Sequence, residues 1–308
     1  MLGLKFNSLF DLLKTFDSED ICIEYLEELR WGTTGVISPF DPDSKVYKCA
    51  GHKYRCKNTG LYFNVRTNTM FDCTKIELQK WFMAIWIITS HKKGISSHQL
   101  AKDIDVTQKS AWFILQRIRN CFDIENNHTL DNTVEADEAF IGGAEKNKHA
   151  DKKTEGTQGR SCKTKTPVFG MVEREGKLIA KKVESTASEH LTPEIIKAVK
   201  ESAILYTDEW IGYNNINKLY NHLFVNHGAK EFVKDDIYTN TIEGFWSLLK
   251  RGILGIYHFV SKKHLQDYVD EFVFRYNTRN FATETVRFDY LLRNVSNKYL
   301  PYKTLIAK

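Results

Sequence analysis

Four charged side chains sit where a charge must be accounted for. The stretch Asn240-Thr-Ile-Glu-Gly-Phe-Trp-Ser-Leu-Leu-Lys-Arg-Gly252 places Ile242, Phe245, Trp246 and Leu249 at i, i+3, i+4 and i+7, the spacing of one apolar helix face. Beside that face stand Glu243 and Lys250, seven residues and so nearly two turns apart. A carboxylate and an ammonium aligned on a helix anchored by Phe and Trp can form half of an active site. The same residues also fit a capping box, Asn240-x-x-Glu243, in which the Glu reaches back to the N-cap amide; on this stretch alone the cap is the simpler reading. Asp137 lies within Thr133–Ile141, with Glu135 on the same strand face by two-residue alternation. A charge in a central strand is costly unless something binds it, the alternative being an exposed strand face. Asp208 directly follows Ile204-Leu-Tyr-Thr207, at a strand's C-terminal end, where α/β sheets present ligand sites and where an Asp can equally cap a helix.

The elements that must position these residues form an α/β succession. Thr133–Ile141 reads as a strand closed by Gly142-Gly143, followed by a polar segment, Ala144–Thr166, whose seven Lys and Arg mark a basic loop. Strands recur at Pro167–Val172, Leu178–Val183, Ala203–Thr207 and Leu223–Asn226, with helices at Pro193–Glu201, Asn240–Gly252 and Ser261–Asn277. The order β-β-β-α-β-α-β-α is that of a mixed sheet with helices on its faces.

Ahead of it, residues 1–30 read as two short amphipathic helices, and residues 31–73 as short β-like pieces around Val46–Cys49 and Tyr62–Val65. Cys49-Ala-Gly-His52 and Cys56 resemble part of a metal knuckle, but structural zinc needs two close pairs of ligands, and Ser38-Pro-Phe-Asp41 holds neither Cys nor His. Buried, reduced cysteines are the plainer reading. Residues 74–122 are helical. Ser96-Ser97 can cap one helix and Thr107 a second, which ends in Arg117 and Arg119 and would expose Gln108, Lys109 and Ser110 near its start. The pair fits a DNA-reading helix-turn-helix with a basic face, or a plain helical hairpin.

The bulk composition bounds the function classes. The chain of 308 residues carries a net charge of +5 and a pI near 8.7, a mild lean towards a polyanionic partner. No apolar run approaches the ~20 residues of a bilayer span, and the start shows no signal-peptide pattern. Six scattered cysteines then read as reduced thiols of a cytoplasmic protein, associated with the nucleoid when bound to DNA.

Taken together, Val134-Glu-Ala-Asp-Glu-Ala-Phe-Ile-Gly-Gly143, Tyr206-Thr-Asp-Glu-Trp-Ile-Gly-Tyr213, Asn240–Gly252 and Tyr268-Val-Asp-Glu-Phe-Val-Phe-Arg-Tyr-Asn-Thr-Arg279 resemble one family. It is the bacterial insertion-sequence transposase family with an N-terminal zinc ribbon, a helix-turn-helix and a ribonuclease-H-like DDE domain. The likeness runs from about Trp31 to Asn280. It implies N-terminal helices with a ribbon-like region over 1–73, a helix-turn-helix domain over 74–125, a catalytic domain over 130–280 and a tail over 281–308.

The resemblance further implies that Asp137, Asp208 and Glu243 bind two Mg²⁺ or Mn²⁺ ions, with Lys250 as the basic catalytic residue seven positions past the Glu, holding a DNA phosphate. Three clustered carboxylates repel unless divalent cations lie between them, and all-oxygen ligation suits those ions. Two ions ~4 Å apart suit in-line displacement at a phosphodiester, first by water and then by a transposon 3′-hydroxyl. The implied partners are double-stranded DNA, at transposon ends and target, and a second copy of the chain, with Gln108, Lys109, Arg117, Arg119, Lys250 and Arg251 as DNA contacts. The chain departs from the family in the ribbon, where Ser38 and Asp41 stand for the first Cys-x-x-Cys pair and Cys56 with Thr59 for the second, leaving it short of a zinc ligand set. A domesticated, non-catalytic DNA-binding protein is the alternative reading, and an intact acidic triad argues against it.

Overall fold

The computed structural model describes residues 5–143, 149–155, 161–225 and 238–307. Much of the basic segment 144–166, and Asn226 at the end of its expected strand, therefore lie outside the described residues. The chain forms two compact units, Met1–Cys121 with Asn280–Lys308, and Phe122–Arg279.

The first unit joins both ends of the chain. Helices α1 (Leu9–Thr15), α2 (Glu19–Trp31) and α3 (Leu78–Ser90) meet α9 (Glu284–Arg293). Aromatic side chains bring them together: Phe16 packs on Phe82 and on Tyr25, each at 4.9 Å, and Phe288 of α9 packs on Phe6 at 5.3 Å. Edge-on pairs at these separations add to what burial alone contributes. α4 (Ser97–Asp103) and α5 (Gln108–Arg119) are joined by a tight turn in which Asp105 takes a positive φ of 49°. Ser96 and Thr107 accept the N–H groups of Gln99 and Ser110, so each helix starts at its own hydroxyl cap. A short helix α10 (Tyr302–Ile306) ends the described chain, and Lys109 lies over the Tyr302 ring.

Arg117 and Arg119 do not form a basic surface. Both are only 1 % exposed. Arg117 is turned inward because three carbonyls need a donor there: it donates to the oxygens of Met70, Asp72 and Leu300 at 2.6 to 2.9 Å. A guanidinium offers several donors in a fixed fork, which suits loop carbonyls that no helix or strand pairs.

Strands β1 (Val46–Lys48), β2 (Tyr54–Cys56) and β3 (Tyr62–Phe63) make a small antiparallel sheet. Its turns are held by hydroxyls: Ser38 Oγ accepts the N–H groups of Phe40 and Asp41, and Ser44 Oγ accepts that of Asn58. Burial raises the Cys56 thiol, but hydrogen bonds from Ser44, Thr59 and Ser38 outweigh it and bring it down to about 6. Among the described residues, this sheet gathers no set of three metal-ligating side chains.

The second unit is built on a five-stranded mixed sheet. β4 (Thr133–Gly142) pairs antiparallel with β5 (Lys165–Glu173), which pairs antiparallel with β6 (Leu178–Lys182). On its other side β4 runs parallel to β7 (Ile204–Asp208), and β7 parallel to β8 (Asn221–Val225). β4 is therefore central and buried on both faces. Val134 and Ala136 join a core with Leu191 and Ile195 of α6 (Ser188–Ala198). Ala139 and Ile141 join another with α7 (Asn240–Gly252) and α8 (Leu265–Asn277).

Three details differ from the expected elements. α6 begins at Ser188, before Pro193, because Leu191 is drawn into the core with Ile195. β7 and β8 are joined by two 3-10 turns, Ile211–Tyr213 and Ile216–Lys218, where the element order calls for a helix. The helix expected from Ser261 starts at Leu265, four residues late. No helix among the described residues is long and apolar enough to cross a membrane.

Replacing Arg117 by Ala strands three carbonyls and empties a packed site. Its expected cost is about 3 kcal/mol, measured as a fall in the urea midpoint of the first unit's transition.

Candidate metal centre

The acidic centre begins with strand register. Glu135 of β4 stands opposite Tyr206 of the parallel strand β7, so two residues further along Asp137 comes alongside Asp208. The ligand oxygens of Asp137, Glu138 and Asp208 all lie within 4.8 Å of one another. Asp208 sits at the strand's end, as its sequence position indicates, and its Oδ1 accepts the N–H of Trp210 at 3.0 Å. That bond folds the following turn back under the carboxylate.

Glu138 is the member that the sequence reading missed. It is 8 % exposed, and its carboxylate accepts the hydroxyl of Tyr213 at 2.7 Å. Burial first, and the charge of Glu138 next, push the Tyr213 phenol far above its ordinary value, so it remains a donor. The signal was present: two adjacent acids in a strand buried on both faces each need a partner.

Helix α7 approaches Asp137 from the other side. Trp246 Nε1 donates to Asp137 Oδ2 at 3.0 Å. This is possible because Gly170 pairs with Asp137 across the sheet, and a Cβ there would stand 2.6 Å from the Trp246 ring. The Asp137 carboxyl is raised to about 6: burial is the main cause, the backbone N–H of Glu138 opposes it, and the charges of Asp208 and Glu243 add to the rise. Glu243 is thus near enough for its charge to be felt, although it stands outside the compact group of three. It is exposed on α7, as are Lys250 and Arg251, whose guanidinium turns back onto Ser247.

The capping box does not form. Asn240 is the first residue of α7, and the N-cap position falls to Thr239, which makes no side-chain cap bond. Instead Glu135, from β4, accepts the N–H groups of Thr241 and Ile242 at 2.9 and 3.2 Å. The helix is capped by a strand residue more than a hundred positions earlier, and Glu243 is left out of the cap.

The domain is mixed α/β, and it collects an all-oxygen group of carboxylates from the middle of its central strand and the end of the parallel neighbour, a set that could hold a divalent cation. Comparison with known proteins narrows the class. The ISXO2-like transposase domain matches residues 129–277. An uncharacterized protein in transposable element ISH50 of Halobacterium salinarum is 30% identical over 278 residues, covering 85% of this chain and 92% of that one. An uncharacterized transposase-like protein of Haemophilus influenzae is 29% identical over 103 residues, 33% of this chain and 82% of the other. Among solved structures, a chain of the pre-cleavage Mos1 transpososome aligns over 95% of this chain and 98% of its own length, at 14% identity and a TM-score of 0.26. The chain belongs to the ISXO2-like transposase family.

Two predictions come from this geometry. Asp137 retains its proton up to about pH 6, and a cation must displace it. Mn²⁺ affinity, read by electron paramagnetic resonance, should therefore fall below that pH by up to about tenfold per unit. In the metal-free protein the sign is opposite: with the folded value above the unfolded one, Asp137 contributes stability fully below about pH 4, and this is lost as pH rises to about 6. Second, Gly170→Ala should drive the Trp246 ring off the sheet, costing about 1–3 kcal/mol, with a shifted tryptophan emission and weaker Mn²⁺ binding as the readouts.

Proposed function

We propose that this chain is an insertion-sequence transposase that cleaves DNA at transposon ends and joins the freed 3′-ends to target DNA, using Asp137, Asp208 and Glu243 as its metal-binding acids. The observation that carries this reading is the convergence of Asp137 and Asp208 from two parallel strands within ligand spacing of each other, in a chain of a transposase family. The donor set fits hard divalent cations: it is all oxygen, and its atoms lie within 4.8 Å of one another. Mg²⁺ or Mn²⁺ bound there would supply activation of the attacking oxygen and neutralisation of the leaving one.

The chain's own residues do the rest. Asp137 and Asp208 hold the ligand oxygens rigidly at the sheet, and Glu243 closes the centre from α7. Lys250, seven residues further along the same helix, meets a DNA phosphate as a flexible point charge. Arg251 extends that contact. Water displaces the 3′-oxygen of the transposon strand in line, releasing a 3′-hydroxyl and leaving a 5′-phosphate. The hydroxyl then displaces a target-strand oxygen in the same manner, forming one phosphodiester as another breaks. Gln108 and Lys109, exposed at the start of α5, read or grip the DNA end. Arg117 and Arg119 are not included, since both are buried. Holding two ends at once calls for a homodimer or larger assembly on DNA.

The test is purified protein with a labelled terminal DNA fragment and Mg²⁺. Wild type should nick and join, whereas Asp137→Asn, Asp208→Asn and Glu243→Gln should lose at least about a thousandfold in rate with binding retained. Lys250→Ala should weaken binding and reduce the salt slope by about one. A wild-type protein that binds the end without nicking or joining it would instead be a domesticated DNA-binding protein.

A further inference from the structure

Glu135 shares a strand face with Asp137 and is fully buried, so it would pass for another metal ligand. Its hydrogen bonds say otherwise. Arg174 Nε and Thr241 Oγ1 donate to Oε1 at 3.0 and 2.9 Å, and the N–H groups of Thr241 and Ile242 donate to Oε2. Four donors occupy the carboxylate, and Arg174 balances its charge. Arg174 is itself held. Its guanidinium lies over the rings of Tyr238 and Tyr206, at 3.6 and 4.7 Å from their centroids, and donates to the Tyr238 carbonyl. Its backbone N–H is bonded to Thr133, at the start of β4.

We infer that Glu135, seated by Arg174, is a positioning residue that fixes the place of Glu243 over Asp137; this rests on the reading of Asp137, Asp208 and Glu243 as a metal centre. The argument is one of spacing. The clamp grips β4 two residues before Asp137 and grips α7 at Thr241 and Ile242, immediately before Glu243. One turn later α7 is held again, by the bond from Trp246 to Asp137. Glu243 lies between these two holds. α7 has no side-chain cap of its own, so the Glu135 carboxylate sets where the helix starts and which way its first turn faces. Arg174 lets an additional carboxylate do this beside three others without adding net negative charge to the centre.

The experiment measures Mn²⁺ binding to the full chain by electron paramagnetic resonance, together with the melting temperature and the dependence of strand cleavage on Mn²⁺. Glu135→Gln should raise the Mn²⁺ dissociation constant about tenfold, with cleavage at saturating Mn²⁺ within about threefold of wild type, because bound metal draws Glu243 into place. Thr241→Val, which removes only the hydroxyl bond and leaves the fold intact, should shift the same constant in the same direction by a smaller factor. Ile195→Val, in the core of the opposite sheet face, lowers stability and should leave Mn²⁺ binding unchanged. If Glu135→Gln and Thr241→Val lower the melting temperature but bind Mn²⁺ as wild type does, Glu135 is only a helix cap and the inference is overturned. Mn²⁺ binding that survives Asp137→Asn has a different signature: it overturns the metal-centre reading itself, and the inference with it.

Discussion

The constraint on which the second unit depends is the crowding of like charges. Asp137, Glu138 and Asp208 present oxygens within 4.8 Å of one another, at a site where Asp137 is largely withdrawn from water. Two carboxylates at such a separation repel by on the order of 3 kcal/mol at an effective dielectric of 20. Flexible side chains would swing apart to relieve that. They do not, because each acid is set by an element whose place is decided elsewhere: β4 and β7 by parallel register, and the Asp208 turn by its bond to Trp210. Apolar burial on both sheet faces gives the strands the rigidity that the acids alone would destroy.

Within β4 the acids divide according to the donors they meet. Glu135 meets four and carries an arginine, so it is a structural group. Glu138 accepts the hydroxyl of the buried Tyr213. Asp137 has an indole N–H and the backbone N–H of Glu138, yet its carboxyl still rises to about 6. The donors therefore set Glu135 apart from Asp137 and Glu138, whose carboxylates meet that of Asp208.

Much of this was legible in the sequence because it is local. The apolar stripe of α7, the hydroxyl caps at Ser96 and Thr107 and the core strands all follow from near neighbours. Asp137 and Asp208 stood out for the same reason: each breaks an apolar strand pattern. What escaped depends on partners far along the chain. The inward turn of Arg117 is set by carbonyls of Met70 and Leu300, so its charge had looked like an exposed basic face. The N–H groups of Phe40, Asp41 and Asn58 that Ser38 and Ser44 accept around β1–β3 were likewise invisible in the sequence. Glu138 was hidden by alternation, which assigns neighbouring residues to opposite faces although their carboxylates meet near Asp208.

The α7 cap shows why a local rule failed at this particular place. In a capping box the Glu at the third helical position spends its carboxylate on the N-cap amide, and it is then no longer available to a cation. Asn240-x-x-Glu243 satisfies the sequence pattern, so a free helix with this sequence would have two uses competing for one side chain. Supplying the cap from β4 removes the competition: Glu135 takes the first-turn N–H groups, and the Glu243 carboxylate remains outside the cap while its charge still acts on Asp137. The same contact that ends the competition also ties the start of the helix to the strand bearing Asp137. The start and cap of the helix are therefore settled by one buried carboxylate, and a local capping rule could not have found it because the residue that caps belongs to another element.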